Sequence, residues 1–189
     1  MTRLTALLLT GCLALAGCGS MLASLETDTI VDDPLERTMA QQMEDESIET
    51  KAIVNIHADN DAYDDAHLVV VSFNGYVLLA GQVQSEKLKL RATEVVRKIH
   101  GVRRIYNELE IASPSSIMTR SSDTWITAKV KSWLLGSSDI DGSRVKVVTE
   151  NGVVYLMGLA TREEAERISN TTAGLSGVQR VVKLFEIAG

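Results

Sequence analysis

Few residues in this 189-residue chain have types and spacing that suggest chemistry. His57, His67 and His100 share no metal-ligand spacing, and the two cysteines, Cys12 and Cys18, both lie near the N-terminus. No zinc-type donor set is therefore expected. The run HADNDAYDD gathers Asp59, Asp61, Asp64 and Asp65 but lacks the glycine and terminal glutamate of an EF-hand loop, so it reads as a solvated loop. Ser115 and Ser116 fall in ASPSSIMTRSS, which has linker composition, and neither a phosphate loop nor a Gly-x-Ser-x-Gly elbow is present. The expectation is a protein that is not an enzyme and needs no cofactor.

Two features remain, Cys18 and a pair of tryptophans. MTRLTALLLTGCLALAGC has one cation at Arg3, then an apolar run, then small residues, which is the layout of a secretory signal. Its end, Leu15-Ala16-Gly17-Cys18, resembles the bacterial lipobox, which would make residues 1–17 a lipoprotein signal peptide and Cys18 an acylated N-terminus. Each buried methylene contributes about 0.8 kcal/mol, so several acyl chains anchor stably. Gly19 rather than Asp after the cysteine implies, by the enteric sorting pattern, transfer to the inner leaflet of the outer membrane. Residues 18–44 are strongly acidic and read as a tether. With a net charge of −6 and no basic run, nucleic acid is not an expected partner.

Both tryptophans lie in SDTWITAKVKSWLL. At about 100° per residue on a helix, Ile126, Val130, Leu134 and Trp133 form one apolar stripe, so Trp133 belongs to the core side. Trp125 lies elsewhere, among Ala128, Lys129, Ser132 and Leu135, where a solvated face would carry many charges. An indole with lysines beside it suits a membrane interface, the ring being apolar while its N–H seeks a polar partner. Each lysine near an anionic surface contributes about 1 kcal/mol.

The element pattern that must position these residues occurs twice. Asn74-Gly75 recurs as Asn151-Gly152 and Gly81 as Gly158, each 77 residues on, and Gly101-Val102 recurs as Gly177-Val178, 76 on. In both copies Asn-Gly joins two apolar runs, the signature of a hairpin whose turn needs positive φ at both central residues. Residues 68–73 and 76–80 form the first predicted hairpin, and 146–149 and 153–157 the second. Helical patterns follow over 85–100 and 163–175, each leading to a glycine read as a helix C-cap and then a strand, 102–111 or 178–187. With its opening helix each copy reads αββαβ, an α+β fold with a three-stranded mixed sheet on two helices. Units this small bury little apolar surface alone, so the copies are expected to pack on each other. Predicted bounds are 45–113 for the first domain, 114–121 for a linker and 122–189 for the second domain.

This order, with its Asn-Gly hairpin, strand-end glycine and Gly-Val, resembles the BON domain. With the lipobox, the chain resembles the dual-BON outer-membrane lipoproteins of the DolP type, and DTWITAKVKS and VTENGVVYLMGL carry the closest likeness. The resemblance implies a periplasm-facing lipoprotein whose second BON domain binds anionic, phosphatidylglycerol-like phospholipid and supports outer-membrane integrity. It also adds Gly158 to the lipid-contact set of Trp125, Ala128, Lys129, Ser132 and Leu135. The alternative is an adaptor whose same face binds outer-membrane assembly proteins. Charge favours the second copy as the lipid-facing one: residues 45–113 hold eight cations and eleven anions, residues 122–189 eight of each.

Overall fold

The computed structural model describes residues 37–138 and 140–188, so the predicted signal peptide, Cys18 and most of the tether lie outside the described residues. Pro34–Gly189 form one compact unit that contains both copies. The first copy comprises α1 (Met39–Asp59), β1 (His67–Phe73), β2 (Tyr76–Val83), α2 (Glu86–Val96), β3 (Arg104–Asn107) and β4 (Glu110–Ile111). The second comprises α3 (Ile117–Gly136), β5 (Val145–Glu150), β6 (Val153–Ala160), α4 (Arg162–Ala173) and β7 (Arg180–Ile187).

Each sheet is mixed, as expected. β1 pairs antiparallel with β2, and β3 and β4 run parallel to β2 on its other edge; β5, β6 and β7 repeat the arrangement. Asn74 and Asn151 both have φ 50° and are followed by glycines at φ 74°, so both hairpins close through two left-handed residues. The strand expected over 102–111 is broken in two. At the break Asn107 turns its amide away from the ladder and donates to Lys89 O and Thr93 Oγ1 at 2.7 Å each, while its Oδ1 accepts from Leu109 N.

Four boundaries differ from the sequence reading for local reasons. Thr38 and Gln41 form a reciprocal capping box that starts α1 at Met39, so residues 39–44 of the expected tether are helical. Ser116 caps α3 by accepting from Thr119 N, which extends that helix through much of the expected linker. Gly101 (φ 88°) and Gly177 (φ 95°) lie beyond the helix ends, in the turns before β3 and β7, and Arg97 and Gly174 hold the C-cap positions in right-handed backbone.

The strands alternate between two cores. Val77 and Leu79 of β2 face α1 and α2 with Ile48, Ala52 and Ile56, and Val154 and Leu156 of β6 face α3 and α4 with Ile126, Val130 and Ile168. The intervening residues Leu78, Ala80, Val153, Tyr155 and Met157 meet each other in a third cluster between the sheets. The two copies thus pack sheet to sheet with helices outside, as expected from their size. The contact is reciprocal at its ends: Asn74 donates to Glu186 Oε2 at 3.3 Å, and Asn151 donates to Glu110 Oε2 at 3.1 Å. Lys146 adds a 2.8 Å ion pair with Glu49.

One interdomain pair is strained electrostatically. Glu150 is buried with Oε1 3.2 Å from His67 Nε2 and Oε2 unpartnered among the described residues. Burial outweighs the attraction of His67 and holds its pKa above the ordinary carboxylate range. A raised folded-state pKa means that this group favours folding at low pH and loses that contribution as pH rises through the raised value. Glu150→Gln is therefore expected to stabilise the protein by about 1 kcal/mol at pH 8, with the gain shrinking toward pH 4. Denaturant titrations of both proteins at the two pH values measure this, and a constant difference would contradict it.

Candidate docking face on the second domain

α3 folds as an amphipathic helix whose inner stripe is Ile126, Val130 and Leu134, all buried, with Trp133 half-buried against the same core. Asp123 also points inward. Its carboxylate accepts from Asn151 N at 3.0 Å and Gly152 N at 2.8 Å, tying the start of the helix to the Asn-Gly turn. Asp45 does the same in the first copy, accepting from Asn74 N and Gly75 N at 2.8 and 2.9 Å. Sequence reasoning missed this role, although an Asp opens both DESIET and DTWIT.

The outer face carries Ile117, Met118, Trp125 and Leu135 at 76, 80, 62 and 71% exposure. Ala128 and Ser132, also exposed, lie between them. At about 100° per residue these six fall within an arc of about 100°, along a helix about 30 Å long. Asp123 is the sole acidic residue of α3 and is buried, so the exposed arc has no anion. Lys129 borders it, its Nζ 3.6 Å above the Trp125 ring and 2.7 Å from Ser176 O. The ammonium is thereby fixed beside the indole, a cation–π contact. In α1 the matching arc also exposes apolar side chains, Met39, Met43 and Val54, but Ala40, Ser47 and His57 stand in place of Met118, Trp125 and Leu135, so it has no indole.

Trp125, Ala128, Lys129, Ser132 and Leu135 thus share one face. Ile117 and Met118 extend it by two turns that sequence reasoning had given to the linker; the signal was Ser116 as a cap, with Met118 seven residues before Trp125. Gly158 does not belong to this exposed set. It is buried in the central strand β6, opposite Val145 and Phe185, and a Cβ there would lie 2.6 Å from Arg144 O. Close backbone approach accounts for this glycine.

Beside the face, between α3 and the turns at Asn151 and Gly177, runs an open groove of about 560 Å³. Among the described residues no three His, Cys, Asp or Glu side chains converge as a metal site. Two members of the acidic run pair locally: Asp59 binds Arg91 at 2.6 Å, which holds its pKa below the ordinary value, and Asp64 meets His57 at 3.2 Å. No helix among the described residues is long and apolar enough to cross a membrane.

Two αββαβ units, each with an Asp-tethered Asn-Gly hairpin, define the class: the chain belongs to the BON-domain family, which matches residues 44–113 and 122–189. It is 34% identical to the outer membrane lipoprotein DolP of Haemophilus influenzae over 94% of this chain and 89% of that protein. The 21 kDa hemolysin of Actinobacillus pleuropneumoniae is 33% identical over 79% of this chain and 77% of that protein. The osmotically-inducible protein Y of Escherichia coli is 28% identical over 75% of this chain and 73% of its own length.

Proposed function

We propose that this protein is a non-enzymatic outer-membrane lipoprotein, anchored in the inner leaflet through acylated Cys18 and facing the periplasm. The domains, at residues 45–113 and 122–189, follow an N-terminal tether. The second docks α3 on anionic phospholipid of the phosphatidylglycerol kind, and this contact supports the integrity of the membrane. The relationship to DolP supports the location. The exposed indole of Trp125 with Lys129 against it, where α1 has Ser47, carries the lipid reading.

Met118, Trp125 and Leu135 enter the headgroup boundary, and Lys129 and Lys131 meet lipid phosphates within a Debye length of the surface. Flotation of the Pro34–Gly189 unit with vesicles tests this. Binding is expected to require anionic lipid, weaken with salt and fall about tenfold in Trp125→Ala, the scale of one buried aromatic side chain. Since Trp125 is exposed, thermal stability should stay near that of the parent. Binding indifferent to lipid charge and to Trp125→Ala would refute lipid docking and favour a protein partner for the same face.

A further inference from the structure

The two copies treat the free edges of their sheets differently. β5 pairs only with β6, Glu150 lying opposite Val153 beside the two-residue turn. In such a hairpin alternate residues bond across the ladder, so the N–H and C=O of Val147 and Thr149 point away from β6. These four groups have no partner among the described residues. The same rule turns Ser72 of β1 outward, but there both groups are taken: Ser72 N donates to Glu49 Oε1 at 2.8 Å, and Ser72 O accepts from Lys146 Nζ at 2.9 Å.

The second copy lacks that plug. The reciprocal contacts of Asn74 with Glu186 and Asn151 with Glu110 relate the copies position by position across the seam. Thr149 thus corresponds to Ser72, Val69 to Lys146, and Thr127 to Glu49, each of the last two following a buried isoleucine. Thr127 bonds the Thr149 hydroxyl at 2.7 Å instead of its N–H, and Val69 has no donor to offer its C=O.

Where the plug is missing there is a groove of about 400 Å³. Val147 turns its side chain toward α3 and Val148 toward the seam, and both line the groove, so it follows the edge of β5 itself. Thr124 and Thr127 of α3 form one wall, Val69 and Val71 of β1 the other. Val147 and Thr149 are only 6 and 7% exposed, which recesses the edge between these walls. Edge-to-edge pairing with a second copy would bring its own α3 and β1 against the walls, whereas a lone extended segment has no such flanks. Unpaired strand edges recruit extended segments through main-chain hydrogen bonds.

We propose that the groove bounded by β5, α3 and β1 binds an extended peptide of another protein, which adds to β5 as a strand through the backbone of Val147 and Thr149. Successive side chains of the peptide then meet the valines of one wall and the threonines of the other, so a sequence alternating apolar and polar residues fits it. The inference does not depend on the docking of α3 at lipid.

The test titrates the full chain, isotopically labelled and in detergent micelles, with a capped peptide of alternating valine and threonine flanked by lysines. The same peptide N-methylated at each central residue is the control. Amide shifts of Val147 and Thr149 report the groove, those of Leu68 and Val70 the edge of β1, and sedimentation the oligomeric state. The unmethylated peptide is expected to move Val147 and Thr149 and to bind about tenfold more tightly than the methylated one, the scale of one or two net hydrogen bonds. Val69→Lys combined with Thr127→Glu, which installs the first copy's plug, is expected to weaken binding to the same degree. If that variant does not fold, the methylated peptide makes the comparison in the unaltered protein. Equal binding of the two peptides, or shifts confined to β1 or to the outer face of α3, would overturn the proposal. A dimer that covers the groove amides would assign the groove to a second copy, and binding that appears only after deletion of residues 19–36 would assign it to this chain's own N-terminal segment; either result would also overturn it.

Discussion

Asp45→Ala is expected to lower the unfolding free energy by about 3–5 kcal/mol, the range for removing one partner of a buried ion pair. Asp45 is buried and its two oxygens serve four donors: Ser72 Oγ at 2.6 Å, Asn74 N at 2.8 Å, Gly75 N at 2.9 Å and Arg37 Nη1 at 2.9 Å. Alanine leaves two turn amides unpaired and strands the Arg37 guanidinium, which is held 4.1 Å above the Phe73 ring. Asp123→Ala removes two turn contacts but no comparable guanidinium partner, so its cost should be nearer about 2 kcal/mol. Because the sheets share a core, urea denaturation is expected to give one transition for each protein. A cost below about 1 kcal/mol for Asp45→Ala would mean that the turn amides find other partners, and a larger cost for Asp123→Ala would remove Arg37 from the explanation.

Gly81→Ala should be comparably damaging, at about 3–5 kcal/mol, through the backbone alone. Gly81 has φ 106°, where a side chain is strained, and an added Cβ would lie 2.0 Å from His67 O. Relief would require moving β1 away from β2, and with it His67, which contacts Glu150 of the other copy at 3.2 Å. Gly158 occupies the same repeat position without a left-handed φ, and its added Cβ would lie 2.6 Å from Arg144 O. Gly158→Ala should therefore cost less, at about 2 kcal/mol. Thermal and urea unfolding of the two variants measure the order, and a reversal would remove backbone strain at Gly81 as the cause.

The difference between these two glycines marks the limit of the repeat as a guide. Their 77-residue spacing made them look equivalent, yet Asn107 breaks the strand beside Gly81, whereas Lys183, at the matching position, sends its Nζ to Glu166 at 2.6 Å and β7 runs on unbroken. Side-chain destinations of that kind depend on what packs nearby and leave no periodic signal.

What the sequence determined by itself was local and periodic. Asn-Gly specifies positive φ twice, alternation places Val77 and Leu79 opposite Leu78 and Ala80, and helical spacing separates Ile126, Val130 and Leu134 from Trp125. These follow from steric limits on φ and from periods of 2 and 3.6 residues, which operate within a few positions. Only the tertiary structure decided where long-range groups converge: Asp45 and Asp123 on hairpin amides 28 to 30 residues away, and Lys129 pinned between Trp125 and Ser176. Helix, turn and sheet are set by short-range geometry, whereas a site is set by which distant side chains occupy the same space, and that is decided when the cores close.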